Sequence, residues 1–236
     1  MRLELNFIVE KNEIPIEFRK TIVSFFKSVI ENYDKDLFKS LYDIGKEKRV
    51  TFAPFFTPLQ FNKNSILLKS NNIKVIFSTE DELLGLHYFN AFLQNLENSY
   101  TFKNNKLTLI RAIKIKEKKI ENDKAIFKIL SPLIIREQLN EDKSWYHLLD
   151  EKGIEVLKRN LLTTLKGEFP EKYLVELEIF PLETKKVVTT FYGIKMQGTL
   201  GIIEIRGRKE ILNSLYKSGA LSSRKSMGFG MLDIIE

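Results

Sequence analysis

The chain has no cysteine, which removes disulfides, thiolate metal sites and a cysteine nucleophile together. Histidine is almost as scarce: His87 and His147 are the only two, too few for a histidine-rich metal centre. Glycine (11) and proline (6) are sparse for 236 residues, which argues against disorder, a collagen-like repeat or a low-complexity linker. Long apolar runs are missing as well. The stretch from Val50 to Asn62 has no charge but is only 13 residues long and is broken by Pro54 and Pro58, whereas a spanning helix needs about 20 apolar residues. The opening residues, Met1 to Phe7, alternate and lack the apolar block of a secretion signal. These absences lead to the expectation of a soluble, cytoplasmic protein with no metal, no cofactor and no membrane partner.

What is present is apolar mass and positive charge. Apolar residues make up 43% of the chain, with 18 Phe, enough to fill one large core or two small ones. Lys and Arg number 38 against 31 Asp and Glu, a net charge of +7, and a polyanion is the natural partner for such a surface. A Lys-, Asn- and Ile-rich composition also arises from genome base bias or heat adaptation, so charge alone does not choose the partner.

Leu3, Leu5, Phe7 and Val9 fall at period two and predict a half-buried strand over residues 2–9. Phe18, Ile22, Phe25, Phe26, Val29 and Ile30 recur at helical spacing and predict a helix over 15–31, with Pro15 in its first turn. A short helical piece around Leu37–Leu41 follows. Strands are expected at 50–56, 65–69 and 73–77. Thr79 to Glu82 has capping-box spacing and opens a helix with Leu83, Leu86, Phe89, Leu93 and Leu96 on its apolar face. Residues 106–117 alternate again, with Leu107, Leu109, Ile113 and Ile115 on one side.

This β-α-β-β-α-β order is that of a ferredoxin-like fold. The second half repeats it more loosely: a strand at 125–130, a helix over 148–165, strands at 172–180, 187–196 and 199–206, a helix near 208–217 and a strand near 229–235. The expected class is therefore α+β, two tandem ferredoxin-like (RRM-like) domains over 1–120 and 121–236, with a glycine-rich loop near the C-terminus.

That loop runs Tyr216-Lys217-Ser218-Gly219-Ala220-Leu221-Ser222-Ser223-Arg224-Lys225-Ser226-Met227-Gly228-Phe229-Gly230. Glycines let backbone N–H groups approach phosphate oxygens, and successive N–H groups form anion-binding concavities. Arg224 and Lys225 add cations, and Ser222, Ser223 and Ser226 add hydroxyls. The alternative is a flexible loop closed by a Gly-Phe-Gly bulge. Between Lys103 and Lys128 lies a second cationic stretch, either a solvated strand face or one wall of a groove. Trp145 and Tyr146 suit base stacking or, more simply, core packing.

Ser226-Met227-Gly228-Phe229-Gly230-Met231 resembles the C-terminal glycine-rich signature of the CRISPR-associated repeat-RNA endoribonucleases, the sixth Cas family within the RAMP superfamily. The signature's second glycine triplet matches Gly228-Phe229-Gly230; its first aligns with Ala220-Leu221-Ser222 and lacks both glycines. Ser131-Pro132-Leu133-Ile134-Ile135-Arg136 looks like the family's Ser-Pro-apolar segment. Asn160-Leu161-Leu162 falls on the expected helix, and Gly193, Gly198 and Gly207 on the expected hairpin.

The resemblance implies metal-independent cutting of precursor CRISPR RNA within its repeats. The RNA's own 2′-hydroxyl attacks the adjacent phosphorus and leaves 2′,3′-cyclic phosphate and 5′-hydroxyl ends. Many family members carry a His after the first helix; this chain reads Leu41-Tyr42-Asp43-Ile44-Gly45, with Tyr42 in its place. An unperturbed phenol is a poor base at neutral pH, and nearby cations would lower its pKa. The catalytic candidates are thus Tyr42, Lys46, Lys48 and Tyr33. The candidates for RNA binding are Lys217, Ser223, Arg224, Lys225, Ser226, Gly228 and Gly230, with Arg136. The implied partner is CRISPR repeat RNA, taken up by a monomer or homodimer. The alternatives are an inactive repeat-RNA binder and a structural subunit of a CRISPR interference complex.

Overall fold

The computed structural model describes residues 1–42, 48–140 and 143–235. Its first half contains strands β1 (Arg2–Val9), β2 (Glu13–Pro15), β3 (Val50–Phe55), β4 (Pro58–Phe61), β5 (Ser65–Leu68), β6 (Asn72–Thr79), β7 (Ser99–Phe102) and β8 (Asn105–Lys114). Helices α1 (Phe18–Tyr33), α2 (Lys35–Tyr42) and α3 (Glu82–Gln94) lie among them. The main sheet has the order β3-β6-β1-β8-β7. With β7 set aside, its strands run second, third, first, fourth in chain order, the antiparallel ferredoxin-like arrangement.

The second half contains β9 (Lys124–Leu133), β10 (Ile135–Gln138), β11 (Ser144–His147), α4 (Glu151–Thr164), α5 (Glu171–Val175), β12 (Glu178–Phe191), β13 (Ile194–Arg206), α6 (Lys209–Ser218) and β14 (Leu232–Ile234). The sheet order β12-β13-β9-β14 repeats the same topology. Two apolar cores result, one between the first sheet and α1/α3, the other between the second sheet and α4/α6.

Several local expectations shift for physical reasons. Pro15 ends β2, which pairs with β5, so α1 starts at Phe18 instead. Thr79 does not cap α3: its hydroxyl donates to the Arg49 carbonyl, and Asp81 caps the helix by accepting from the Leu84 N–H. The buried face of α3 is Leu84, Tyr88, Ala91 and Phe92, while Leu83, Leu86 and Leu93 are exposed. Both phases satisfy helical spacing, and the rings of Phe26 and Phe77 select the one that brings Tyr88 and Phe92 inward.

In β8 a bulge at Ile110 changes the register against β1, from Leu109 opposite Phe7 to Arg111 opposite Asn6. Ala112 therefore continues the buried face, and Ile115 turns to the junction between the halves, beside Ala53, Ile76 and Met231. The segment expected as a strand from 172 begins with α5, which Pro170 initiates. Strands β12 and β13 form one long hairpin turning at Tyr192-Gly193, where both residues have positive φ (50° and 75°), the type I′ pattern.

Polar contacts clamp the halves together. The buried Arg2 of β1 stacks on the Tyr216 ring at 4.3 Å and donates to the Leu232 carbonyl at 2.9 Å. Ser78 donates to the Lys217 carbonyl (2.8 Å) and Ser214 to Glu80 (2.8 Å). At the far end of the junction the Gly193 N–H, at the hairpin tip, donates to Glu17 just ahead of α1 (2.9 Å). No described helix is long and apolar enough to cross a membrane.

Candidate active site and nucleic-acid interface

The C-terminal loop lies against the rest of the protein. Gly230 N–H donates to the Pro132 carbonyl, Met231 N–H to the Ser131 hydroxyl and Ser223 N–H to the Ile134 carbonyl, each at 3.0 Å. Ser222 and Ser223 in turn accept from the backbone N–H groups of Ile134 and Arg136, both at 3.2 Å. The Ser131–Arg136 segment is therefore the seat of the loop, which gives the two motifs one structural reason to occur together.

These contacts correct the idea of a free backbone cradle, because the N–H groups in question already serve the fold. Gly228, Gly230 and Lys225 are buried. Gly228 has φ +83°, and a Cβ there would lie 2.5 Å from the Phe52 ring. Phe229 is fully buried; its carbonyl accepts from Thr51. Arg19 of α1 stacks on the Phe229 ring at 4.7 Å and donates to the Gly228 carbonyl at 3.0 Å. Burial lowers the Arg19 pKa to about 10. The glycines here permit close approach of protein to protein.

On the outer side, Ser223 is exposed and Arg224 and Ser226 are half-buried. Arg224 donates to the Tyr146 hydroxyl at 3.4 Å, and its Nε is buried without a partner among the described residues. Arg136 lies across the same hairpin from Tyr146, with its Nε bonded to Ser144 at 2.7 Å. Lys217 stands apart, bridged to Glu117 at 2.9 Å and Glu82 at 3.8 Å. Burial works against its charge, but Glu117, Glu82 and Glu80 outweigh it and raise its pKa. Trp145 is exposed, contrary to the core-packing expectation, whereas Tyr146 packs beside Phe191 and Phe229. His147 bonds Glu137 at 2.8 Å within the β10–β11 hairpin.

Tyr42 closes α2. Lys48 sits 4.2 Å from its ring centroid and Lys27 of α1 sits 5.0 Å away, while Phe38 stacks on it at 4.8 Å. Burial raises the Tyr42 pKa, and Tyr88 only partly offsets this by favouring the phenolate, so the expected lowering by nearby cations is overturned. Burial, then the Lys27 charge, lowers the Lys48 pKa. Tyr33 ends α1 with its ring edge-on to His87 at 5.9 Å. Lys46 lies outside the described residues.

The family model for the C-terminal part of CRISPR associated protein Cas6 matches residues 115–234, half of the chain. The chain belongs to the Cas6 family. A search of curated proteins finds no match. Among solved structures, one titled as a Cas6-related gene from Pyrococcus furiosus is 21% identical with a TM-score of 0.83, covering 100% of this chain and 98% of that one. A RAMP protein described as binding different RNA substrates is 18% identical with a TM-score of 0.79, each chain covered in full. A Cas6 product complex is 15% identical with a TM-score of 0.72, covering 99% of both chains. At these identities the structures establish the RAMP-type fold. Membership of the Cas6 family supports a role in CRISPR RNA processing or repeat-RNA binding.

Within this Cas6 chain, sequence reasoning missed Lys27, Arg19 and Tyr88. Lys27 follows Arg19 by eight residues on α1, about 12 Å along the axis, so one helix links the C-terminal loop to Tyr42. Arg19 and Lys27, cations at the two ends of the uncharged Thr21–Phe26 stretch of α1, were the available signal.

Proposed function

We propose that this chain cuts precursor CRISPR RNA within its repeats, with the 2′-hydroxyl as nucleophile and without a metal ion. We also propose residues 1–120 and 121–236 as its two domains, the first supplying the reacting groups and the second holding the RNA backbone. The reading is carried by Tyr42, a phenol with ammonium groups 4.2 and 5.0 Å from its ring, on a half-exposed surface. It is supported by membership of a family of repeat-specific endoribonucleases.

In this reaction the 2′-oxygen–phosphorus bond forms as the phosphorus–O5′ bond breaks. Negative charge builds on the phosphorane oxygens, and the leaving O5′ needs a proton. Tyr42, held protonated by burial, donates a hydrogen bond to that charge. Lys48, whose proton is held less tightly than an ordinary lysine's, supplies the leaving oxygen. Lys27 stabilises the phosphorane, and the 2′-proton leaves to water. Tyr33 and Lys46 remain the secondary candidates. Ser223, Arg224, Ser226 and Arg136 hold the RNA backbone; Lys225, Gly228 and Gly230 support that surface from beneath, and Lys217 is a weaker hand because carboxylates already claim it.

Incubation with the repeat RNA in EDTA is expected to give a single cut with a 2′,3′-cyclic phosphate end, read by end-group analysis. Tight binding without a cut would replace the enzyme with an RNA-holding protein, a reading favoured by Tyr42 standing where many family members carry a histidine. Retention of RNA only within a larger complex would make the chain a structural subunit. Replacing Arg224 and Arg136 together with Ala is expected to weaken binding and reduce the slope of log affinity against log salt by about 2, roughly one for each phosphate left unneutralised. Titration of binding across salt concentrations checks it; an unchanged slope would take the RNA away from this surface.

A further inference from the structure

Lys48 stands two residues ahead of β3, and its place over the Tyr42 ring depends on how the chain enters that strand. The next residue, Arg49, is held at both of its ends. Its carbonyl accepts from the Thr79 hydroxyl at 2.7 Å, beside the Val50–Thr79 pair that opens the β3–β6 ladder. Its guanidinium donates to Glu80 Oε1 at 3.0 Å and meets both carboxylate oxygens of Glu168, with Nη1 3.2 Å from Oε2 and Nη2 bonded to Oε1. Glu80 directly follows β6, and its other oxygen accepts from Ser214 of α6 at 2.8 Å. Glu168 lies four residues beyond α4, in the second half. One side chain therefore ties the approach to β3 to the second half through a two-pronged pair suited to a planar guanidinium.

We propose that Arg49 is a positioning residue: its contacts with Glu80 and Glu168 fix the path of the chain into β3 and so hold the Lys48 ammonium over Tyr42. Arg49 reaches toward the second half, while Lys48, one residue earlier, reaches toward the ring of Tyr42, where Lys27 also lies. Three carboxylate oxygens already occupy the guanidinium, so Arg49 serves the reaction through Lys48 and not by holding phosphate. Its side chain is 43% exposed, and ion pairs at such positions add little to overall stability. What the fork sets is a direction. Because one of its partners belongs to the half proposed to grip the RNA backbone, the reacting lysine is placed relative to the held strand.

The inference rests on the proposed role of Lys48, and its test separates the two. Glu168→Gln keeps Arg49 and weakens the fork from the opposite half. With lysines labelled at Cε, the Lys48 resonance, assigned by its loss in Lys48→Ala, is followed against pH in the free protein. Burial and the Lys27 charge lower the Lys48 pKa where it now sits, so a released Lys48 is expected to titrate higher in Glu168→Gln. Loss of a carboxylate by itself acts in the opposite direction, so an unmoved or lowered midpoint overturns the proposal. In single-turnover cleavage at saturating repeat RNA, Glu168→Gln and Arg49→Lys are each expected to slow cutting about tenfold, since the lysine is displaced and not removed. Repeat affinity is not expected to weaken, because neither change removes a positive charge. In a Lys48→Ala background, Glu168→Gln is expected to have no further effect; an equal loss in both backgrounds overturns the positioning role. If Lys48→Ala itself cuts at the normal rate, the functional reading of Lys48 fails, and the resonance midpoint alone decides whether Arg49 holds it.

Discussion

Gly228→Ala is expected to unfold about 10 °C below the unaltered protein. Two costs combine at this residue. The backbone sits at φ +83°, a conformation that costs an L side chain roughly 1–2 kcal/mol. The new methyl would also lie 2.5 and 2.6 Å from Cε2 and Cζ of Phe52, which is fully buried and has no room to yield. Overpacking of that kind costs about 1–3 kcal/mol. The sum, near 3 kcal/mol, corresponds to a shift of about 10 °C in a chain of this length. Gly167→Ala supplies the control. Gly167 has almost the same φ, +84°, with nothing within 4 Å of the added carbon, so only the backbone cost applies and about 4 °C is expected. Thermal unfolding of the two variants side by side makes the comparison. Equal shifts would mean that Gly228 is kept for something other than its contact with Phe52, such as approach of a ligand.

Cleavage carries the second large effect. Tyr42→Phe and Lys48→Ala are each expected to slow single-turnover cutting by about a hundredfold, within the range for loss of a positioned proton donor, while repeat affinity changes little. The pH profile separates their roles. A group that must be protonated loses its contribution as pH rises through its pKa. The Lys48 pKa is lowered, first by burial and then by Lys27, so the basic limb of the rate profile is expected below the range of an ordinary lysine. Lys27→Met removes the like charge and is expected to move that limb upward. Burial raises the Tyr42 pKa, so its own titration lies above this limb. A limb unmoved by Lys27→Met would detach Lys48 from proton transfer.

The strand and helix periodicities of the first half were legible because each buried face recurs at the spacing of its own element. Leu3, Leu5, Phe7 and Val9 all reach the core, as do Ile22, Phe25, Phe26, Val29 and Ile30. The apolar face of α3 was not legible in the same way. Leucines and aromatics occupy both phases of that helix, and only the rings on α1 and β6 discriminate between them. The hairpin turn was misplaced because Gly198 reads as a turn glycine, yet it lies within β13, where a Cβ would meet Ile134 and the Leu133 carbonyl. The short β10–β11 hairpin was missed because four-residue strands offer too few alternations to register.

The candidate site divides along similar lines. Tyr42, Lys48, Arg224 and Arg136 were marked by residue type and by motif. Lys27 and Tyr88 lie 15 residues before and 46 residues after Tyr42, and nothing local in the chain joins them to it.

By itself the sequence determined the absence of thiol chemistry, the cationic balance, the tandem ferredoxin-like order and the motifs of a repeat-RNA family, because each is a matter of composition or of short-range spacing. Only the tertiary structure decided which groups are free to act. Packing between the halves turns Gly228 inward onto Phe52, packing within the second half seats the tail's N–H groups on Ser131–Arg136, and packing within the first half brings Lys27, Lys48 and Tyr88 around one phenol. Burial then sets the charge state of that phenol, since a desolvated hydroxyl keeps its proton whatever cations stand beside it in the chain.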